Sequence, residues 1–261
     1  VAMVLLGGIK RIGSVTEKLV PVMACFYLVG GLVMLIANIT NLPHAFALIF
    51  EGAFNPQAIL GGAVGIGVRE AMRYGVARGL FSNEAGMGST PHAHAMAKVE
   101  KPQDQGVVAM VCVFIDTFVV LTITALVMIT SGALNVGNMA ANPAAENMAQ
   151  VAFSTVFGSF GNFYVAICLL FFAFSTIVGW YFFGEQNVKY LFGTRGVTPY
   201  RVVVMCFIVM GSLLQVNLVW ELADMFNGLM AFPNLIALIG LAKVVSKALD
   251  EFEQANLADN K

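Results

Sequence analysis

Apolar residues run in long blocks along this chain, and polar residues gather between them. A helix needs about 17–25 predominantly apolar residues to cross a bilayer. Six blocks meet that length: 19–39, 58–78, 107–131, 162–184, 200–218 and 222–246. The first few residues read as the cytoplasmic end of a seventh. All are predicted as helices, because hydrocarbon offers no partner to an open strand edge. The predicted fold class is therefore all-α, a polytopic transmembrane bundle over residues 1–247 with a tail at 248–261. Three shorter stretches carry helical spacing. Phe46, Ile49 and Phe50 mark one face of 43–53, and Met148, Val151, Ala152 and Thr155 mark one face of 144–157. A third surface helix is expected over 91–100, with Thr90 as N-cap and Pro91 at the first helical position.

The charges sort with the blocks. All 14 lysines and arginines fall before the first span, late in or after the second, between the fourth and fifth, or near the C-terminus. The alternate connections, 40–57, 132–161 and 219–221, hold none. By the excess of basic residues on the inner side, residues 78–106 and the C-terminus are expected in the cytoplasm.

Composition agrees with that class. Of 261 residues 59% are hydrophobic and 11% are charged, against about a quarter charged in soluble domains. The lipid bilayer is thus an expected partner. A net charge of −1 and the lack of a basic cluster give no support to nucleic-acid binding. Cys25, Cys112, Cys168 and Cys206 lie inside apolar runs without Cys-x-x-Cys spacing, so they read as small buried hydrophobes. The chain opens at Val1 without the charged start or cleavage site of a signal peptide. It reads as the C-terminal part of a longer protein.

Breaks and charges inside the spans narrow the chemistry. "GGAVGIGVRE", residues 61–70, places Gly61, Gly62, Gly65 and Gly67 in the second span. One reading is close helix packing along Gly61-x-x-x-Gly65. The other is a helix that opens in mid-membrane and frees backbone groups for a ligand. Arg69 and Asp116 lie at matching depths, about 14 Å from the same side. A buried charge needs a partner, so the two are expected to pair, as scaffold or as inner gate. In "LLFFAFSTIVGWYFFGEQ", Ser175 and Thr176 are adjacent hydroxyls, with Trp180 one turn beyond Thr176. The hydroxyls either bond back to the preceding turn or offer oxygens to a hard cation such as sodium. In the second case Trp180 walls an apolar ligand.

"RGLFSNEAGMGSTPHAHA", residues 78–95, is the densest polar stretch. His92 and His94 point to different helix faces, and His44 is assigned to the other side of the membrane, which argues against a metal centre. The Gly-Lys-Ser/Thr of a phosphate loop is missing, as is the Gly-x-Ser-x-Gly of a nucleophilic serine. A span, a break and a surface helix suit a hinge and gate, with Arg78, Asn83 and Glu84 as candidate sealing residues.

"RYGVARGLFSNEAGMGSTPHAHA", together with "FAFSTIVGWYFFGE" and "LADMFNGLMAFPNLIAL", closely resembles the sodium:alanine (alanine or glycine:cation) symporter family. The similarity extends from "GGIKRIG" to about residue 247, and His92 departs from the apolar residue common at that position. The resemblance implies the second half of a LeuT-type transporter of the plasma (inner) membrane, its six spans matching core helices five to ten. It implies sodium-coupled symport of a small neutral amino acid by alternating access, with Na+ as coupling ion and no other cofactor. The site residues it implies are Gly61, Gly62, Gly65, Thr176 and Trp180 for substrate and Ser175 and Thr176 for sodium. Helices that precede this chain would supply the rest. The competing classes are an ion channel, for which no repeated filter motif is found, and a membrane-embedded enzyme, for which no convergent base and nucleophile are found.

Overall fold

The computed structural model describes residues 1, 8–54, 64–134 and 147–259. Among them every regular element is helical. The helices are α1 (Gly8–Ala37), α2 (Leu42–Phe54), α3 (Val64–Ser82), α4 (Pro91–His94), α5 (Pro102–Phe114), α6 (Thr122–Thr130), α7 (Met148–Phe157), α8 (Ser159–Phe192), α9 (Val197–Gly211) and α10 (Val216–Asp259). A π-helical stretch, Ile115–Leu121, joins α5 to α6 without a break. By length and composition four helical segments can cross a membrane: Arg11–Ala37, Pro102–Thr130, Ser159–Phe192 and Val216–Gln254.

Several boundaries differ from those the sequence suggested. The break expected at 219–221 falls at Ser212–Gln215. There the amide of Ser212 and its hydroxyl both turn back, to the carbonyls of Ile208 and Val209, and α10 restarts with Val219 bonding to Gln215. That leaves α9 with 15 residues, about 22 Å of helix. The tail expected from 248 is the continuation of α10 to Asp259. The surface helix expected over 91–100 is the single turn Pro91–His94. The two shorter helices expected at 43–53 and 144–157 are present as α2 and α7. In α2 Ala45 is buried while Phe46 and Phe50 are exposed. In α7 Ala152 and Phe153 are buried while Val151 is exposed.

The chain divides into two compact units. The first combines residues 1–73 with 117–185. In it α1 and α2 pack against α6, and α7 packs against α1 and α6. Its core gathers Met34, Val127, Ala152, Phe153, Tyr164 and Cys168. Glycines allow the helices to approach. A Cβ on Gly30 would strike the Tyr164 ring, and one on Gly31 would lie 2.6 Å from Ile123. The Tyr164 hydroxyl donates to the carbonyl of Phe26, and those of Tyr27 and Thr124 share a 2.6 Å hydrogen bond. In a bilayer such polar and small-residue contacts replace the hydrophobic drive of a water-soluble core.

The second unit combines residues 74–116 with 186–261. Here α10 packs against α5, and Gln103 donates to the carbonyl of Ala248 at 2.7 Å. Pro233 lies inside α10. Its missing N–H leaves the Leu229 carbonyl without an intrahelical donor.

Candidate functional site

Backbone geometry dictates the second unit's polar cluster. At the end of α3 the chain reverses through Glu84, whose φ is +50°, then Gly86 at +81° and Gly88 at +79°. A side chain rarely takes that left-handed conformation. The reversal aims the Glu84 carboxylate along the turn, where Ser89 donates at 2.8 Å and Thr90 donates to the same oxygen. Thr90 therefore does not cap α4. Its own backbone is helical, and its hydroxyl is committed to Glu84. Asn234 of α10 fixes the turn from the other side, donating to the Gly86 carbonyl at 3.0 Å.

Near this turn Arg78 is ion-paired and Asp116 is hydrogen-bonded. Arg78 donates to both carboxylate oxygens of Asp224, at 2.8 and 3.4 Å. Its guanidinium also lies 4.1 Å from the ring centroid of Trp220. Trp220 and Asp224 are one turn apart on α10, so one helix face supplies both the anion and the aromatic plane. Ser82 donates to Asp116 at 2.5 Å. Thus Asp116, expected to meet Arg69, has Ser82 as its described partner. Arg69 lies on the backbone of α3, and its side chain is outside the described residues. The Gln105 side-chain amide and His94 Nδ1 share a 2.6 Å hydrogen bond, and His92 bonds the Ser89 carbonyl at 3.0 Å.

The first unit holds the other expected site residues. On α8 Ser175 donates to the Phe172 carbonyl at 3.0 Å and lies 3.5 Å from the Met23 sulfur of α1. A back-bonded hydroxyl keeps its oxygen lone pairs, so both readings of this residue remain compatible. Thr176 beside it is exposed, and Trp180 one turn on is half-buried, edge-on to Phe183 at 5.8 Å. Gly61 and Gly62 lie outside the described residues, and Gly65 lies on the α3 backbone. The residues that sequence reasoning missed are Asp224, Trp220 and Ser82, together with the Ser89–Thr90 pair on Glu84. Only "LVWELADMF", with its acid one turn after a tryptophan, carried a signal for them. Glu185, also unforeseen, is only 6% exposed, and its Oε2 has no hydrogen-bond partner among the described residues.

Long apolar helices, four of them able by length and composition to cross a membrane, are the build of a polytopic membrane protein. The chain belongs to the sodium:alanine symporter family, whose model matches residues 1–261. It is 46% identical over 97% of its length to an uncharacterized transporter of Haemophilus influenzae, covering 55% of that protein. It is 42% identical over 97% of its length to the sodium/alanine symporter AgcS of Methanococcus maripaludis, covering 55% of it. A probable sodium/glutamine symporter, GlnT of Bacillus subtilis, is 38% identical over 98% of the chain, with 52% of its own length covered. The chain thus spans about half the length of the curated relatives it matches.

Proposed function

We propose that the protein carries a small neutral amino acid, alanine or glycine, across the plasma membrane together with sodium, by alternating access on a LeuT-type frame. The observation that supports this most is Thr176 beside Ser175 with Trp180 one turn away on a 34-residue apolar helix, in a chain that matches the symporter family throughout. Sodium takes oxygens from Ser175 and Thr176 and from freed carbonyls. Backbone amides at an opened helix around Gly61, Gly62 and Gly65 hold the carboxylate of the substrate. Trp180 limits side-chain size. The basic connections, residues 78–106 and the C-terminus, face the cytoplasm. There Arg78, Asn83 and Glu84 close the inner end.

Proteoliposomes of the full-length protein provide the test. Saturable alanine or glycine uptake that requires an inward sodium gradient supports the reading. Uptake of glutamine with equal efficiency would widen the substrate class, and flux without saturation would favour a channel. Uptake insensitive to sodium would overturn the symport mechanism.

A further inference from the structure

The connection from α3 to α5 is laid along one stripe of α10. Trp220 and Asp224 hold Arg78. Asn234 holds the Gly86 carbonyl and stands against Gly88, where a Cβ would lie 2.7 Å from its amide oxygen. About four turns beyond Pro233, the Ala248 carbonyl takes the Gln103 amide at 2.7 Å, and the Phe252 ring centroid lies 5.6 Å from the Lys101 ammonium. At 3.6 residues per turn these five positions of α10 fall within roughly 120° of one another. Asn234 and Ala248 are about 21 Å apart along the axis. Residues 89–100 therefore run between two attachment points on the same helix, with the single turn of α4 as their regular structure.

The two attachments differ in strength. The Gly86 end is backed by the two bonds of Arg78 to Asp224 and by close contact at Gly88, whose φ is +79°. The Lys101 end has one neutral hydrogen bond and one cation over a ring. A bond of the first kind shifts a population by roughly fivefold, and an exposed cation–ring contact shifts it by about as much or less. Little else covers this part of α10. From 235 to 254 every side chain is exposed except Ala248 and Phe252, which are partly covered. The ion pair of Lys247 with Glu251 is internal to the helix. Lys247, Asp250, Glu251 and Glu253 keep this turn and its neighbours out of hydrocarbon. A water-exposed arm held at one turn by two weak contacts can let go without unfolding. The Ala248 carbonyl has a second lone pair for its intrahelical bond, which survives the loss of Gln103.

We propose that α10 from Lys247 onward is a releasable strap on the segment between α3 and α5. Docked on Lys101 and Gln103, it draws the start of α5 and residues 89–100 against α10. Released, it leaves that segment anchored at the Gly86 end and free to swing. The effect on transport rests on the symporter reading, in which residues 78–106 close the cytoplasmic side. The strap itself does not rest on it.

Amide hydrogen–deuterium exchange on the full-length protein in lipid nanodiscs tests the strap. Deleting residues 247–261 should speed exchange across 89–105 at least about tenfold. Residues 123–130 of α6 should exchange as in the parent, which shows that the fold is kept. Two point variants test the same contacts without shortening the chain. Gln103→Leu, which removes the donor at similar volume, and Phe252→Ala should each speed exchange there about threefold or more. Lys101→Arg keeps a cation over the ring and should stay near the parent rate. Exchange across 89–105 that is unchanged in the deletion, or in both point variants, overturns the strap. Sodium-driven alanine uptake in proteoliposomes reads its consequence. The deletion and Gln103→Leu should raise the maximal rate about threefold or more, with the half-saturating alanine concentration unchanged. Faster exchange with an unaltered or lowered maximal rate makes the arm a scaffold and overturns the regulatory role. A parent protein without sodium-driven uptake rejects the symport reading, and the exchange result then stands by itself.

Discussion

Arg78 and Asp224 form a two-toothed ion pair, 2.8 and 3.4 Å long, with Trp220 covering the guanidinium plane. Both side chains keep about a third of their surface exposed, 36% and 33%. At such exposure an ion pair contributes about 1 kcal/mol or less to stability, and the stacking adds about as much. Asp224→Asn should therefore lower the melting temperature of the purified protein by only a few degrees. Arg78→Lys should do the same, because an ammonium loses the fork and the flat face. If the pair closes the inner end of the pathway, uptake changes far more than stability, by about tenfold or more in proteoliposomes. Equal, small effects on both readouts would reduce it to a surface contact.

Thr176 and Ser175 differ in their surroundings. Ser175 is tied to the Phe172 carbonyl and approaches Met23, whereas Thr176 is exposed. Thr176→Ala should raise the sodium concentration for half-maximal uptake about tenfold, equivalent to about 1.4 kcal/mol of lost ion binding. Thr176→Ser keeps the oxygen and should stay near the parent value. An unchanged sodium requirement in the alanine variant removes Thr176 from the ion site.

Close helix contact at Gly30 makes a stability prediction. Any side chain there meets the Tyr164 ring, which is anchored to the Phe26 carbonyl. Gly30→Val should cost about 1–3 kcal/mol through overpacking, read as lower yield of folded protein and an earlier thermal transition. Tyr164→Leu in the same chain opens space and should recover part of the loss. Additive losses in the double variant would show that the two positions do not meet.

Gly88 carries two constraints at once. Its φ is +79°, and a Cβ would lie 2.7 Å from the Asn234 amide oxygen. Gly88→Ala should thus destabilise by more than the roughly 1 kcal/mol of backbone strain alone. Asn234→Ala removes the clash but also the bond to the Gly86 carbonyl, so the double variant should lose less than the sum of the two singles. Limited proteolysis in the 83–90 segment measures this directly.

Hydrophobic run length found α1, α8 and the α5–α6 segment, because apolar length is what a bilayer selects, but it missed helical turns beyond the apolar run, α1 starting at Gly8 rather than 19 and α8 ending at Phe192 rather than 184. It misplaced the break before α10. "VMGSLLQVNLVW" is apolar almost throughout, and the turn is made by backbone and hydroxyl bonds at Ser212 that hydropathy does not register. The π-helical stretch at Ile115–Leu121 was equally hidden. It shows instead in a hydroxyl bond, Thr122 to the Thr117 carbonyl five residues back, at 3.4 Å. Of the polar cluster, the sequence exposed the members but not the partners. Arg78 and Asp224 are 146 positions apart. Thr90 looked like a cap because its role depends on the positive φ of Glu84, which no residue-type preference predicts for a glutamate.

The length of α10 has a mechanical meaning. Forty-four residues extend about 66 Å, more than twice the roughly 30 Å of hydrocarbon. With one backbone bond missing at Pro233, the helix is a lever with a built-in fulcrum. A bend of about 10° there would sweep Asp259, about 39 Å away along the axis, through about 7 Å. Gln103 grips that arm at Ala248, and Asn234 holds the Gly86 turn beside the fulcrum. These two bonds tie the arm and its fulcrum to the two ends of the segment that carries Glu84 and His94.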